Sequence, residues 1–292
     1  MDEQDFLARR FEEQRPHLRA VAYRMLGSLS EADDAVQDAW LRLSRTDTSD
    51  VENLRAWLTT VVARVALNML RSRKTRREQS LDAHVPDPVV DSADGTDPSH
   101  EALLADSVGL ALLVVLETLT PAERLAFVLH DMFAVPFEEI APIVERSPQA
   151  TRQLASRARR RVRGAPAPDA DVRAQWEVVE AFQAAARGGD FDALVAILHP
   201  DVVLRADFGP AGRSRHVVGA RAVAGQALFW ERQAALTLRR AIVNGIPGVV
   251  AIQGGKPFSV GAFTVENGKI VEIDFLADPE RIARLDLAML SE

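Results

Sequence analysis

The sequence predicts a multidomain protein in which two all-α segments are followed by an α+β domain. Two stretches rich in Pro, Asp, Ala and Ser, residues 82–99 and 164–171, have the composition of linkers because they offer little apolar surface to bury. Apolar residues in the first two segments recur at helical spacing, whereas the C-terminal segment ends in alternating runs typical of strands. The length of 292 residues suggests about two domains. We place the boundaries at residues 1–80, 81–99, 100–164 and 172–292.

Charge is distributed unevenly along the chain. The formal net charge is −7, yet residues 53–77 hold seven basic residues and no acid, and residues 146–168 hold seven arginines and no acid. An electrostatic attraction for nucleic acid must therefore come from these two patches. The absence of cysteine excludes disulfides and cysteine-ligated metals. With no apolar run long enough to span a bilayer and no charged-then-apolar leader, we expect a cytoplasmic protein without a membrane contact.

The first segment is predicted to be helical, with one acidic face. In the stretch SEADDAVQDAWLRL, residues 30–43, apolar side chains such as Ala35, Val36 and Trp40 fall on one helical face. An acidic surface repels DNA phosphates, so the opposite face must meet another partner, unless it is only solvated. The residues of that opposite face are Asp33, Asp34, Gln37 and Asp38.

A second helix is predicted from about Leu54 to Arg77, after a polar loop. It begins with an apolar face that includes Trp57 and ends in a basic stretch. Melted DNA needs aromatic faces or pockets for its unstacked bases and cations for its phosphates. The helix therefore suits single-stranded DNA, although a lone tryptophan is more often a core residue.

The second segment is predicted to contain a helix-turn-helix. Thr120 and Pro121 start one helix, a short helix follows, and the three residues ERS lead into a helix with Ser147 as N-cap and Pro148 in its first turn. Arginine reads guanine edges bidentately and glutamine reads adenine, which favours DNA recognition over a solvated basic face or an RNA-binding tail. The outward residues of this helix are Gln149, Arg152, Gln153, Ser156, Arg157 and Arg160.

The third segment has the pattern of an α+β domain. Residues 172–187 place Val172, Trp176, Val179 and Phe182 on one helical face, and a further helix is predicted at about residues 220–233. Strand-like runs follow, with the turn ENGK between two alternating stretches as a hairpin signal. Helices first and antiparallel strands later indicate an α+β fold.

In their order along the chain, these features resemble an extracytoplasmic-function (ECF) sigma factor. Residues 5–78 resemble region 2, through YRMLGSLSEADDAVQDAWLRL and NLRAWLTTVVARVALNMLRSRKTRRE. Residues 100–163 resemble region 4, through LETLTPAERLAFVLHDMFAVPFEEIAPIVERSPQATRQLASRARRRV. Together the two regions cover about half of the chain. This ordered combination is more specific than a lone helix-turn-helix.

The resemblance implies a role for each set of residues. Asp33, Asp34, Gln37 and Asp38 match the helix that docks on the clamp helices of the beta-prime subunit of core RNA polymerase. The loop that captures a flipped base of the minus-ten element is matched by Ser49, Asp50, Val51, Glu52 and Asn53. The helix beside the melted strand is matched by Trp57, Arg64, Asn68, Arg71 and Arg73. Recognition of the minus-thirty-five element is matched by Gln149, Arg152, Gln153, Ser156, Arg157 and Arg160.

The C-terminal segment resembles the NTF2-like, SnoaL-like fold, a cone of sheet wrapped by helices, which a subgroup of ECF sigma factors carries. DPERI, residues 278–282, resembles that subgroup's Asn-Pro-Asp-Lys-Leu motif. DFGPAGR, residues 207–213, and HVPDP, residues 84–88, depart from its Asp-Gly-Gly-Gly-Lys and Trp-Leu-Pro-Glu-Pro motifs. We expect the domain to dock on the linker and to hold the two DNA-binding segments in one arrangement. The residues assigned to this contact are His84, Pro86, Asp87, Pro88, Asp278, Pro279, Glu280 and Arg281.

The sequence therefore predicts a sigma factor that recruits core RNA polymerase to promoter DNA, with activity modulated by its C-terminal domain. We expect no catalytic residue, metal or cofactor, and a small-molecule ligand of the C-terminal domain is left open. One alternative is a one-component regulator that senses a ligand and binds operator DNA. Another is an NTF2-like isomerase or cyclase with a DNA-binding appendage, for which the candidate proton carriers are His199, Asp207, His216 and Asp274.

Overall fold

The structure is a computed structural model that describes residues 3–46, 53–76, 84–93, 109–210, 212, 214–233 and 236–287. The described residues fall into two compact units. Those up to residue 76 and those within 115–164 belong to the first unit, and those within 84–93, 109–114 and 165–287 belong to the second. The first unit therefore combines both predicted DNA-binding segments, and the stretch that had the composition of a linker belongs to the C-terminal unit.

Helices build the N-terminal part of the chain. Three helices precede the linker: α1 (Glu3–Leu26), α2 (Leu29–Leu43) and α3 (Leu54–Arg76). After it come α4 (Leu110–Glu117), α5 (Pro121–Phe127), a π-helical segment (Val128–Met132), α6 (Phe137–Val144) and α7 (Pro148–Val162).

Local capping residues set the ends of these helices. Gly27, at a φ of 65°, ends α1 in the left-handed conformation that glycine adopts readily. Thr120 and Glu123 form a reciprocal capping box at the start of α5, as the Thr-Pro pattern predicted. Ser147 accepts a hydrogen bond from the Ala150 amide at 3.2 Å, and Pro148 occupies the first turn of α7. These starts are readable from sequence because each cap contacts residues within the same turn.

The core of the first unit lies where α1 packs on α2 and α3. Leu18, Met25, Leu58 and Leu67 are fully buried there. Helix α3 also packs on α5 and α6, and α1 contacts the π-helical segment. The two predicted DNA-binding segments therefore share one interface in this structure.

The second unit is an α+β domain. Its helices are α8 (Val172–Gly188), α9 (Phe191–Ile197), α10 (Ala220–Gln233) and the short α11 (Pro279–Ile282). Its strands are β1 (Val90–Ser92), β2 (Leu198–Asp207), β3 (Arg215–Val218), β4 (Thr237–Val243), β5 (Ile246–Gln253), β6 (Lys256–Glu266) and β7 (Lys269–Leu276).

The strands form one seven-stranded sheet in the order β1-β4-β5-β6-β7-β2-β3. Every neighbouring pair is antiparallel except β2 and β7, which run parallel. The turn between β6 and β7 has Asn267 at φ 52° and Gly268 at φ 70°. Positive φ at both central residues is the condition for a type I′ turn, which explains the hairpin predicted from ENGK.

The expectation that residues 82–99 offer little to bury is wrong for their described part. Strand β1 pairs antiparallel with β4, with Val90 opposite Val243. Val85 and Val89 are buried, and the Val89 amide donates to the Asn244 side-chain oxygen at 3.0 Å. A strand partner more than 150 residues away supplies this burial, so composition alone did not reveal it.

One face of the sheet carries the core of the second unit. Side chains of α8, including Trp176, Val179 and Phe182, pack with Leu204 and Phe263 from the strands. The predicted fold class, helical segments followed by an α+β domain, is confirmed. Among the described residues, no helix combines the length and apolarity needed to cross a membrane.

Candidate nucleic-acid interface and linker cluster

Helices α6 and α7 form the predicted helix-turn-helix. Glu145 ends α6 in the left-handed conformation, at φ 58°, and the Arg146 amide donates to the Ala141 carbonyl at 3.1 Å. Ser147 then starts α7, so only three residues separate the two helices. The six residues of α7 predicted to face outward are all exposed: Gln149, Arg152, Gln153, Ser156, Arg157 and Arg160.

Apart from Arg152, which pairs with Glu138, the arginines of α7 divide into two groups. Arg159 donates to Asp131 at 2.6 Å, and Arg161 donates to the Thr118 carbonyl at 2.9 Å, so both bind within the first unit. Arg157 and Arg160 form no ion pair within the described part of the chain. Their exposed guanidinium groups can therefore meet phosphates or base edges.

Helix α3 presents a polar stripe along one side. Arg64, Asn68 and Arg71 are exposed, at a spacing that keeps them on one helical face, and the partly buried Trp57 lies two turns before Arg64. Such a stripe offers an aromatic face, an amide and cations in sequence. This is the set of groups that melted DNA requires.

Arg73 is directed into the protein. Its Nε donates to Glu31 Oε1 at 3.0 Å and its Nη1 donates to the Leu26 carbonyl at 2.8 Å. Arg73 therefore joins α3 to the other two N-terminal helices, and its assignment to DNA stays a prediction that these contacts do not support. The loop residues Ser49, Asp50, Val51 and Glu52 lie outside the described residues.

Asn53 caps the start of α3. Its side-chain oxygen accepts a hydrogen bond from the Ala56 amide at 3.1 Å, which satisfies a backbone donor of the first turn. The residue is exposed and borders the loop. Its cap holds the N-terminus of α3 in place where that loop joins the helix.

The acidic face of α2 is only partly neutralised. Asp33 accepts two hydrogen bonds from Arg19, at 2.7 and 3.3 Å, and Asp38 pairs with Arg42 at 3.0 Å. Asp34 and Gln37 are exposed, and their side chains form no hydrogen bond or ion pair in the described part of the chain. These two residues are therefore the groups on this face that are free to meet a partner.

Buried basic residues hold the two halves of the first unit together. Arg24 is 1% exposed and lies over the Phe133 ring at 5.0 Å. Arg124 is also buried, and its Nε donates to the Arg24 carbonyl at 3.1 Å. Sequence patterns did not identify these residues, although a charged residue at an apolar helix position is a signal of such a contact.

His17 lies in the same interface. Its ring meets Phe133 edge-on at 5.3 Å, its Nε2 lies 3.1 Å from the Thr59 hydroxyl, and Arg55 Nη2 lies 3.1 Å from its Nδ1. Burial, with the positive charges of Arg55 and Arg24, lowers the pKa of His17 to about 4. The ring is therefore neutral at pH 7 in this packed arrangement.

We predict that acidification weakens the packing around His17. In the unfolded chain this ring has an ordinary pKa of about 6.5, so between about pH 6.5 and 4 the unfolded state binds the additional proton. The contribution of neutral His17 to the free energy of unfolding is therefore complete above pH 6.5 and is lost as the pH falls towards 4. Thermal unfolding of the full chain at pH 7.5 and 5.5 should show a larger fall in Tm for the wild type than for His17→Gln. The exposed His216→Gln variant is the control, and equal falls in Tm for the wild type and His17→Gln would contradict the prediction.

A polar cluster joins the linker to the C-terminal helix of the second unit. Asp207 Oδ2 accepts hydrogen bonds from the Val85 amide at 3.1 Å and from Arg281 Nη1 at 2.9 Å, and it lies 2.9 Å from His84 Nδ1. Arg281 also donates to Asp87 at 2.6 Å and to the Val85 carbonyl at 2.6 Å. We call His84, Val85, Asp87, Asp207 and Arg281 the Asp207 cluster.

Hydrogen bonds decide the protonation state of Asp207. Burial alone would raise its pKa, but the hydrogen bond with His84 and those from the Gly209 and Val85 amides hold the pKa well below its ordinary value. The carboxylate is therefore charged and fully engaged.

The turn after β2 completes this site. Gly209, at φ 72°, lies so close to Asp278 that a Cβ there would stand 2.3 Å from Asp278 Oδ2. Asp278 itself is buried and caps α11 by accepting from the Glu280 amide at 3.0 Å. Pro279 and Glu280 are exposed, whereas Pro86 and Pro88 are buried. The three motifs HVPDP, DFGPAGR and DPERI thus meet at one place.

The isomerase or cyclase alternative requires a carboxylate of raised pKa beside a pocket. Burial and the nearby Glu272 carboxylate do raise the pKa of Asp274. Arg205, however, donates to Asp274 at 3.0 Å and to Glu272 at 3.2 Å. Both acids alternate along β7 with Ile273 and Phe275, which pack in the apolar core, so they lie on the other face of the sheet. They are partners of a partly buried arginine outside that core.

The remaining candidates for proton transfer have local roles. His199 Nδ1 accepts a hydrogen bond from the Asp201 amide at 3.1 Å, and His216 is exposed on the edge strand β3. Within the described residues, no group of three or more His, Asp or Glu is arranged to hold a metal ion.

Family models match both halves of the first unit. Residues 10–76 match Sigma-70 region 2, and residues 109–162 match Sigma-70, region 4. The first range contains the acidic face of α2 and the stripe on α3, and the second contains the helix-turn-helix.

Relatives from Mycobacterium tuberculosis resemble the chain over nearly its whole length. It is 42% identical over 288 residues to the ECF RNA polymerase sigma factor SigJ, which covers 93% of this chain and 91% of SigJ. It is 35% identical over 284 residues to the probable ECF RNA polymerase sigma factor SigI, which covers 97% of both chains. The crystal structure of SigJ superposes with a TM-score of 0.77 at 37% identity and covers 96% of this chain and 99% of that chain.

Proposed function

We propose that different helices of this chain, which belongs to the extracytoplasmic-function (ECF) RNA polymerase sigma factors, bind different partners. As a sigma factor it binds core RNA polymerase and promoter DNA to initiate transcription. In our proposal α2 binds core polymerase, α3 with its preceding loop contacts the melted minus-ten element, and α7 reads the minus-thirty-five element. One observation carries the proposal: three faces of different composition follow each other along one helical unit, acidic on α2, aromatic and basic on α3, and arginine-rich on α7.

The partner of α2 is proposed to be the clamp helices of the beta-prime subunit. Asp34 and Gln37 are exposed on the side of α2 opposite its buried stripe, which includes Ala35, Ala39 and Leu43. A helix held by such a core stripe presents its acidic side chains without rearrangement. An acidic face pairs with a basic surface of the polymerase.

We predict that Asp34→Arg lowers the affinity for core polymerase at least about tenfold, because a like charge is then placed against a basic partner. The matched control is Glu13→Arg, an equal charge reversal at an exposed position of α1. Pull-down of purified core polymerase by the full chain measures the effect, and Tm checks the fold. Normal affinity of the Asp34→Arg variant would reject this role for α2. Failure of the wild type to bind core polymerase would favour a one-component regulator instead.

Promoter recognition is proposed to use both basic surfaces. The α3 stripe of Trp57, Arg64, Asn68 and Arg71 supports contact with unstacked bases and phosphates of the minus-ten element. The exposed side chains of α7 support reading of the minus-thirty-five element in the major groove. In this proposal Arg152 contacts base edges and Arg160, two turns later, contacts phosphates.

Two substitutions on α7 should distinguish base recognition from electrostatic binding to phosphates. Arg152→Ala should lower binding to the preferred minus-thirty-five element by about 1–3 kcal/mol and relax the base preference, as loss of a bidentate guanine contact does. Arg160→Ala should weaken binding equally across sequences and lower the salt slope by about one phosphate contact. Binding of the holoenzyme to promoters with a randomised element measures both. Identical, sequence-independent losses would show that another face of α7 enters the groove.

The packed first unit cannot occupy both promoter elements at once. A compact unit of about 125 residues has a radius of gyration of about 14 Å. Elements about 25 base pairs apart are separated by about 85 Å at about 3.4 Å per base pair. We therefore infer that the contact of α3 with α5 and α6 opens during promoter binding. The structure then represents a closed state of the sigma regions.

We propose that the second unit regulates this opening through the linker and without catalysis. The Asp207 cluster fastens residues 84–87, which connect the two sigma regions, to the β2 turn and α11. A fastened linker shortens the free chain between the sigma regions, so fewer open arrangements are accessible. A ligand of the second unit stays a prediction.

Arg281→Ala should release the linker. The substitution removes one donor from each of the buried side chains Asp87 and Asp207, which costs about 1–3 kcal/mol. We expect a lower urea midpoint for the second unit and altered transcription from a cognate promoter, while affinity for core polymerase stays within about threefold. Arg284→Ala, an exposed arginine three residues on, is the control. Wild-type transcription by the Arg281→Ala variant would reduce the cluster to a structural contact.

A further inference from the structure

An acidic residue of the first helix of the helix-turn-helix binds the base-reading arginine of the second. Arg152 Nη2 lies 2.6 Å from Glu138 Oε1, and the side chains are 54% and 62% exposed. Glu138 lies in the first turn of α6, and Arg152 in the second turn of α7. The ion pair therefore lies at the surface that α7 presents to DNA.

An aromatic stack holds the same arginine from a second side. The Arg152 guanidinium carbon is 5.5 Å from the centre of the Phe137 ring. That ring stacks on His130 at 3.8 Å, and His130 Nδ1 contacts the Val135 carbonyl at 3.0 Å. Arg152 is thus held between a carboxylate and a supported aromatic face, which distinguishes it from Arg157 and Arg160.

The strength of the Glu138–Arg152 ion pair determines which DNA groups can displace the carboxylate from the guanidinium. Exposed ion pairs contribute little stability, so a guanine edge that accepts two hydrogen bonds from the guanidinium can displace the carboxylate. A backbone phosphate of non-cognate DNA competes less well than a guanine edge for the Arg152 guanidinium, because the Glu138 carboxylate also repels the phosphate. The pair therefore discriminates between a matched base and the DNA backbone.

We propose that Glu138 is a specificity-determining residue, which withholds Arg152 from DNA phosphates and releases it to a guanine. This inference rests on the proposed reading of the minus-thirty-five element by α7. Without the carboxylate, Arg152 gains a phosphate contact on non-cognate DNA, whereas on cognate DNA it already has its base partner. Glu138 thus raises the specificity ratio while contributing little to cognate affinity.

The chain contains a matched control next to this residue. Glu139 is exposed in the same turn of α6 and forms no ion pair with α7 in the described part of the chain. Glu138→Gln and Glu139→Gln change the net charge equally at nearly the same place. A general electrostatic effect changes both variants alike, whereas loss of the Arg152 pair changes only the first.

The test measures the full chain assembled with core polymerase. Holoenzymes with the wild type, Glu138→Gln, Glu139→Gln and Arg152→Ala bind a promoter library with a randomised minus-thirty-five element, and non-cognate affinity is titrated with salt. For Glu138→Gln we expect non-cognate affinity to rise about threefold, with a salt slope steeper by about one unit, as one added phosphate contact gives. The affinity of Glu138→Gln for cognate DNA should stay within about threefold of the wild type. Its preference for the bases that Arg152 recognises should be weaker than in the wild type.

The outcomes separate this inference from the proposed function. If Arg152→Ala removes no base preference, the proposed role of Arg152 fails, and the role of Glu138 fails with it. If Arg152→Ala removes a preference but the two glutamine variants behave alike, α7 reads DNA as proposed and Glu138 has no specific role. Equal Tm values for the glutamine variants, expected because both positions are exposed, show that folding is unchanged.

Discussion

The position of the linker depends on the charge of one residue, Asp207. A buried carboxylate is strongly destabilising unless donors surround it, and here they come from the linker, from the turn after β2 and from Arg281. Each part of this site therefore requires the other two. Because the linker also supplies β1 to the edge of the sheet, a segment with the composition of a spacer becomes part of a folded unit. The connection between the two sigma regions is in this way bound to a domain that follows both in sequence.

Buried charges also need partners in the first unit, where the charged groups are arginines instead of a carboxylate. Arg24 and Arg124 are buried where α1 meets the helices of region 4, and they find an aromatic face and a backbone carbonyl instead of water. Contacts of this kind hold groups in place but retain the desolvation penalty of a buried charge. An interface built from them, with a neutral His17 beside them, is stable when closed and gains hydration when it opens. This suits the proposed opening of this interface during promoter binding.

The surface proposed to meet DNA includes exposed basic groups of α7 that form no ion pair within the described part of the chain. Arg73, Arg159 and Arg161 bind within the first unit, while Arg157 and Arg160 remain exposed. Arg152 lies between these two groups, because it has a partner, Glu138, but that partner is exposed and can be displaced by another acceptor. A count of arginines in the basic patch therefore overstates the number available to phosphates. The distribution of partners, rather than net charge, distinguishes arginines that hold the helices from arginines whose guanidinium groups are exposed.

Much of this architecture could be predicted from sequence, because it depends on contacts within one turn or one hairpin. The caps at Thr120 and Ser147, the ENGK hairpin and the acidic and basic helix faces are of this kind, and their order along the chain indicated the family. Sequence also identified the motifs HVPDP, DFGPAGR and DPERI, but not that they surround one carboxylate. The burial of Val85, the pairing of Arg73 with Glu31 and the contact of His17 with Phe133 appeared only in the structure. Each joins residues 42 or more positions apart. Local periodicity specifies which side of a helix or strand is apolar, whereas the identity of the group packed against it depends on how distant elements are placed, and only the tertiary structure decided that.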